Sequence, residues 1–285
     1  MAQALATAVG RRWRKPPLIG SPLLRWALLI GTAAYLALAA WSILADVNWL
    51  RVYEGLDRGA RFLAGFFPPY PFSRMIEEGQ FAVGVERWRD ISDGLAESLT
   101  MTVTSTAIGI LISVPIGLGA ARNIAPLPVY IVCRAIVAIS RSFQEVIIAI
   151  FFVAMFGFGP FAGMMTLSFA TIGFLSKLLA EDIEDMDPTQ AEAIRATGSR
   201  WLQWINYGVQ PQVMPRLIGL SLYRLDINFR ESSVVGIVGA GGIGATLNTA
   251  FDRYEYDTAA TIILIIIGIV FFAEYTSSKI RERVQ

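Results

Sequence analysis

Histidine is absent from the 285 residues, which excludes Ser-His-Asp chemistry and imidazole-ligated metal centres, and no metal site is expected. Cysteine occurs once, as Cys133, so no disulfide can close within the chain. Charge is scarce too. Asp, Glu, Lys and Arg make up 16% of the sequence and sum to a formal +1, which leaves no dense basic face for a nucleic acid. No Gly-x4-Gly-Lys-Ser/Thr loop occurs, so any ATP hydrolysis belongs to another polypeptide and no cofactor is expected in this chain.

What is present is apolar. With 54% hydrophobic residues and a mean hydropathy of +0.52, the chain has too little polar surface for a soluble globule of its size. It reads as an all-α protein that crosses the lipid bilayer about six times. Residues 1–25 carry Arg11, Arg12, Arg14 and Lys15 and are expected to stay cytoplasmic. The run 26–45 is uncharged and longer than a signal-peptide core, and Asp46-Val47-Asn48 is a poor cleavage site, so it is expected to be a retained first span.

Residues 46–97 read as an extracytoplasmic interfacial segment. Leu50, Tyr53, Leu56, Phe62 and Leu63 recur at helical spacing against Arg51, Glu54, Asp57, Arg58 and Arg61. Such a helix lies in the headgroup region or packs on the protein's outer surface. The core is expected over 98–278, with spans near 98–121, 129–156, 161–180, 213–238 and 258–273, and a cytoplasmic tail over 279–285. The third stretch is too long for an upright span and carries Arg134, Arg141 and Glu145, so a tilt or break is expected near Ser140 to Phe143. Six crossings return the C-terminus to the side of the N-terminus, and both are assigned to the cytoplasm.

A polar excursion, residues 187–211, interrupts the apolar pattern. Asp187 is a good N-cap, Pro188 suits the first helical position and Gln190 stands where a capping box takes Glu or Gln. A short helix through Glu192, Ala193, Ile194 and Arg195 should stop at Gly198. Ser199 is the expected cap of a second helix, which Pro211 should end.

Charges inside spans need partners or water. Asp226 and Arg230 are four apart, as are Arg141 and Glu145, so each pair is expected to share a helix face, and Arg141 and Asp226 come to similar depths and could face one another. Together with Glu231 these groups either line a water-accessible passage for an anionic solute or merely neutralise one another. Further on, Gly239, Gly241, Gly242 and Gly244 match the dinucleotide fingerprint G-x-G-x-x-G, but no βαβ unit surrounds them. They are expected to form a gate or a tight turn, followed by a mixed loop to Asp257.

The excursion resembles the cytoplasmic EAA loop of ATP-binding-cassette importer permeases through Glu192, Ala193, Gly198 and Pro211, with Ile194, Gly208 and Gln210 departing from that pattern. Further stretches extend the likeness: Phe66 to Tyr70 (FFPPY), Glu97 to Asn123, Arg141 to Glu145 (RSFQE), Gly157 to Gly163 and Asn228 to Gly244. Taken together, they resemble the phosphonate-transport permeases among these importers. The resemblance implies the type I importer fold, similar to methionine importers, in a bacterial inner (cytoplasmic) membrane. It also implies a homodimer, cytoplasmic ATPase subunits that bind ATP and Mg, and an extracytoplasmic solute-binding protein. The solute would be a phosphonate or a related phosphorus oxyanion, and Asp187, Glu192, Ala193, Arg195, Gly198 and Pro211 would couple the ATPase to the passage. A same-fold permease for methionine or another small solute is the alternative within transport. A gated channel or ion-coupled carrier, with Asp226 and Glu145 as ion-binding groups, is the alternative outside the family.

Overall fold

The computed structural model describes residues 22–70, 72–73 and 83–284, with backbone alone at 22, 83–86 and 280–284. Every element assigned among them is helical. The basic cluster at residues 11–15 lies outside the described residues. The chain divides into two compact units, Met1–Phe62 and Leu63–Gln285.

The first unit holds α1, Pro22–Ala45, and most of α2, Trp49–Ala64. The 24 residues of α1 reach about 36 Å, enough to cross a hydrocarbon core of about 30 Å. Its Leu28, Leu29, Ile30, Leu36 and Leu38 are exposed, as lipid contact requires. Amphipathic α2 has no buried residue. Its polar face is laced by Glu54–Arg58 at 3.8 Å and Asp57–Arg61 at 3.1 Å, four residues apart in each case.

The second unit is built around α3, Val83–Ala120, and α6, Pro160–Glu184. The 38 residues of α3 begin well before the expected Ser98, because Arg87, Arg89 and Asp90 mask the onset in sequence. Thr100, Thr102, Thr104 and Thr106 each donate to the carbonyl four residues back, at 2.6 to 2.8 Å, so these hydroxyls are satisfied within the helix. Gly117 of α3 faces Leu179 of α6 so closely that a Cβ would lie 2.8 Å from its side chain. Small residues here bring the two backbones together.

Between them run α4, Leu127–Ser142, and α5, Glu145–Phe156, which meet at 94°. The expected break is therefore present. Phe143 and Gln144 take extended backbone, ψ 140° and 145°, and interrupt the helical ladder. Arg134, one of the span charges that needed a partner, pairs with Glu184 at 2.8 Å and also donates to Ala120 O at 2.8 Å.

After α6 come α7, Pro188–Ala196, the four-residue α8, Trp201–Trp204, a π turn over Ile205–Val209, and α9, Gln210–Val235. Two expectations are corrected here. Pro211 does not end a helix: it is the second residue of α9, and the π turn just before it carries α8 straight into α9 although Pro211 has no N–H to donate. Ser199 is not the cap of α8 either. Arg200 holds that place, its N–H donating to Gln203 Oε1 at 2.9 Å, while Ser199 Oγ donates back to Ile194 O at 2.9 Å.

The stretch after the glycines is likewise not a loop. A second π turn, Gly236–Ala240, leads to α10, Gly242–Asp252, bent 57° from what precedes it, and then to α11, Tyr256–Val284. The FFPPY segment docks on the start of α11. Phe66 stacks on Tyr256 at 5.9 Å, and Thr261 donates to Tyr70 O at 2.7 Å. Among the described residues four helices are long and apolar enough to cross a membrane, or six if each bent pair is one span.

Candidate functional site

Three places carry the sequence-predicted residues: the hairpin 187–211, a charged cavity at the α4–α5 break, and the glycine joint before α10.

In the hairpin, Asp187 Oδ1 accepts from Thr189 N at 2.9 Å, as an N-cap should. Gln190 takes no part in a capping box. Gln212, beyond the hairpin, clasps its two ends. Its Oε1 accepts from Asp187 N at 3.1 Å and its Nε2 donates to Gly208 O at 2.8 Å. Trp204 crosses between the helices, donating to Ala191 O at 2.8 Å under the Arg195 guanidinium, 5.2 Å from its ring centroid. Gly208 departs from the family pattern for a local reason. A Cβ there would lie 3.3 Å from Ala191 Cα, where the π turn presses on α7. Gly198 turns the chain at φ 79°, a conformation costly to any residue with a Cβ.

The hairpin is held firmly. Ala191, Trp204, Ile205 and Val209 join one buried cluster with Ala120 of α3 and Leu179, Ala180 and Ile183 of α6. Arg216 of α9 pairs with the buried Asp182 of α6 at 2.9 Å, just behind it. On the outer surface stand Glu192 and Ala193, with Trp201, Leu202 and Tyr207 exposed beside them. Among the described residues Glu192 makes no ion pair, although nine ion pairs join other charged residues across elements or along a helix.

The charged residues of the spans fall into two groups. Asp226 and Arg230 of α9 pair as expected from their spacing. Arg141 and Glu145 do not share a face, because the 94° break puts them on α4 and α5. Glu145 instead approaches Arg224 of α9 at 3.9 Å, and Arg224 binds Glu231 at 3.1 Å. Nor do Arg141 and Asp226 meet. Arg141 lines a cavity of about 350 Å³ with Gln144, Glu145, Phe174 and Arg224, whereas Asp226 lines an apolar one with Leu99, Phe229 and Phe272.

Arg224 lies in the same span as Asp226 and Arg230, and the four-residue spacing gives it no acidic partner. It is 3% exposed. Its Nε donates to Thr171 Oγ1 at 3.2 Å, its guanidinium lies 5.4 Å from the Phe174 ring centroid, and Asn228 joins Thr171 to Thr106 by bonds of 2.9 and 2.8 Å. A buried arginine held in this way places a fixed positive group at the cavity wall. The signal in the sequence is the seven-residue spacing of Arg224 and Glu231, two helical turns, which brings them to one face.

At the glycine joint, Gly239 and Gly241 have φ of 94° and 78° and meet the turn before α6: Gly159 N donates to Gly239 O at 3.0 Å. Gly242 and Gly244 sit where backbones cross, and a Cβ on Gly244 would fall on the Ser233 carbonyl. The first amides of α10 are covered from α3. Glu97 accepts from Gly242 N at 3.0 Å and Ser98 accepts from Ile243 N at 2.9 Å. These two acceptors were invisible in sequence, being 145 residues away.

With this geometry in hand, comparison with known proteins gives one family match, described as "Binding-protein-dependent transport system inner membrane component", over residues 88–279. The chain is 41% identical over 213 residues to the Phosphate-import permease protein PhnE of Mycolicibacterium smegmatis, covering 74% of this chain and 39% of that one. It therefore spans about two fifths of that relative's length. It is 38% identical over 189 residues to the Phosphite transport system permease protein PtxC of Stutzerimonas stutzeri, covering 66% and 69% of the two chains. Among solved structures, a chain of the MetNI methionine ABC transporter in an inward-facing conformation superposes with a TM-score of 0.61 at 22% identity, covering 68% of this chain and 96% of that one. That likeness is one of fold.

Proposed function

Since the chain belongs to the family of binding-protein-dependent transport system inner membrane components, we propose that it is the permease subunit of an ATP-driven importer for a phosphonate or a related phosphorus oxyanion. Relatives named for phosphate import and for phosphite transport support that class of solute. ATP and Mg would bind a separate ATPase subunit, and a solute-binding protein would deliver the anion from outside. Two copies of the chain would enclose the passage in the cytoplasmic membrane of a bacterium, with both termini and the hairpin in the cytoplasm.

The observation that carries this reading is the hairpin, packed on α3, α6 and α9 while presenting an exposed Glu192, without an ion-pair partner among the described residues, and exposed Trp201, Leu202 and Tyr207. A channel or an ion-coupled carrier has no use for such an element. A lever does, because force applied at Glu192 passes through Ala191 and Trp204 to α6 and α9, the two helices that flank the hairpin and, in α9, hold Arg224 and Arg230. Under this reading Asp187, Arg195, Gly198 and Pro211 keep the lever's shape, and Glu192 and Ala193 meet the ATPase.

The test is Glu192→Lys. Purified from its host in mild detergent, the wild-type chain should bring an ATPase with it. The variant should reach the membrane in normal amount and lose at least tenfold in solute uptake, since a like-charge or mispaired contact replaces the native one. Normal uptake by the variant would remove the hairpin from coupling.

A further inference from the structure

The cavity at the α4–α5 break has donors that its ion pairs leave unused. Arg141 reaches it from α4 without an ion-pair partner among the described residues, roughly 20 Å along the helix from Leu127. Arg224 spends Nε on Thr171 and one terminal nitrogen on Glu231 and, at 3.9 Å, Glu145, and its Nη1 makes no hydrogen bond among the described residues. The α5 N-terminus also opens here, and Gln144 at its cap position makes no side-chain bond to it. Positive groups left in this state within a span are costly unless an anion or water answers them.

The cavity also contains an acceptor. Arg224 meets two carboxylates, Glu231 at 3.1 Å and Glu145 at 3.9 Å, and Glu231 also lies against Glu145, so the charges around the space besides Arg224 are Arg141 from α4, Glu145 from α5 and Glu231 from α9 behind them, while α6 adds only the uncharged Ala170 and Phe174. An ionised carboxylate accepts hydrogen bonds and donates none. An anion whose oxygens are all acceptors, such as sulfate, would satisfy Arg141 and confront Glu145. An oxyanion that keeps one O–H would satisfy both, giving Glu145 a charge-assisted bond.

We propose that this cavity binds a phosphorus oxyanion that still carries an ionisable proton, Arg141 and Arg224 donating to its charged oxygens and Glu145 accepting its O–H. The proposal rests on the permease reading above and adds to it a basis for selection inside the membrane subunit. The carboxylate makes the site discriminate by the proton on the ligand, and the arginines set how tightly any anion is held.

The experiment uses the full chain in lipid nanodiscs, titrated with methylphosphonate, phosphite and sulfate at a mildly acidic pH, where the two phosphorus oxyanions each keep one O–H and sulfate keeps none. Wild type should bind the two phosphorus oxyanions at least about tenfold more tightly than sulfate, the effect of one unmatched buried polar contact. Glu145→Gln keeps the shape but can donate as well as accept, and should bring that ratio below about threefold by admitting sulfate. Arg141→Ala should weaken all three ligands about tenfold and keep the ratio. On the wild type itself, raising the pH until phosphite loses its last proton should weaken phosphite binding relative to sulfate.

Equal affinities in the wild type, an unchanged ratio in Glu145→Gln, or a phosphite-to-sulfate preference indifferent to that deprotonation would each overturn the proposal. Phosphonate uptake by host cells, measured in parallel, separates the two levels. Cells that import while the nanodisc chain shows no preference overturn the cavity's role and leave the permease reading standing. Cells that import no phosphorus oxyanion overturn the permease reading.

Discussion

Among the described residues two long helices are broken, and the two breaks are finished in opposite ways. At the α4–α5 corner, bent 94°, the cap residue Gln144 makes no side-chain bond, and the corner opens on a polar cavity lined by Arg141, Glu145 and Arg224. At the joint before α10, bent 57°, Glu97 and Ser98 of α3 cover the first amides, and glycines let the backbones touch. Polar backbone at membrane depth is tolerated where protein buries it or where water reaches it. The joint uses the first solution and the corner uses the second. The corner therefore offers charged donors to a solute, whereas the cavity beside the joint has no charged side chain in its lining.

The largest effect should come from Arg224, the buried charge of α9 that reaches Glu145 of α5 and Thr171 of α6. Arg224→Ala leaves Glu231 in the interior without its cation and empties the contacts with Thr171 and Phe174. It should cost about 3–5 kcal/mol and show as a large fall in unfolding temperature of the purified chain. A fall of only a degree or two would mean that the corner is held by packing and that its charges are free to serve a ligand.

A closed joint and an open corner should also respond differently to the same small change. Gly244→Ala would drive a methyl group into the Ser233 carbonyl, which is backbone and cannot swing away, and should lose about 1–3 kcal/mol. Gln144→Ala, on the exposed side of the corner, should change stability by no more than about 0.5 kcal/mol. Similar values for the two variants, read by thermal unfolding in one detergent, would erase the distinction.

A smaller effect than that of Arg224→Ala should come from the amide cover. Ser98→Ala removes the acceptor of Ile243 N while Glu97 keeps Gly242 N, and should cost about 1 kcal/mol. Faster hydrogen exchange confined to the first turn of α10 would locate that loss at the joint. Exchange that is unchanged there would show that Glu97 alone suffices.

Where an element is specified by neighbours in sequence, it was legible. The apolar runs became α1, α3, α6 and α11, and Asp187-Pro188 with Gly198 marked the ends of α7 and its turn. Even the break near Phe143 followed from span length and charge, both local counts. The i, i+4 rule found the Asp226–Arg230 pair because one uninterrupted helix carries both. The same rule failed for Arg141 and Glu145, since a break between the two cancels the periodicity on which the rule depends.

Pro211 failed for a related reason: its meaning depends on whether it opens or closes a helix, and a π turn decided that. The sequence by itself determined that the chain is a membrane bundle with one polar hairpin, because hydrophobic length and capping chemistry act over a few residues. Tertiary structure alone decided which charges meet and which remain free. Arg224 reaches Glu145 across helices and Thr171 lies 53 positions away, while Glu97 and Ser98 close a joint 145 positions on. Such contacts are fixed by how helices pack, and no spacing along the chain encodes them.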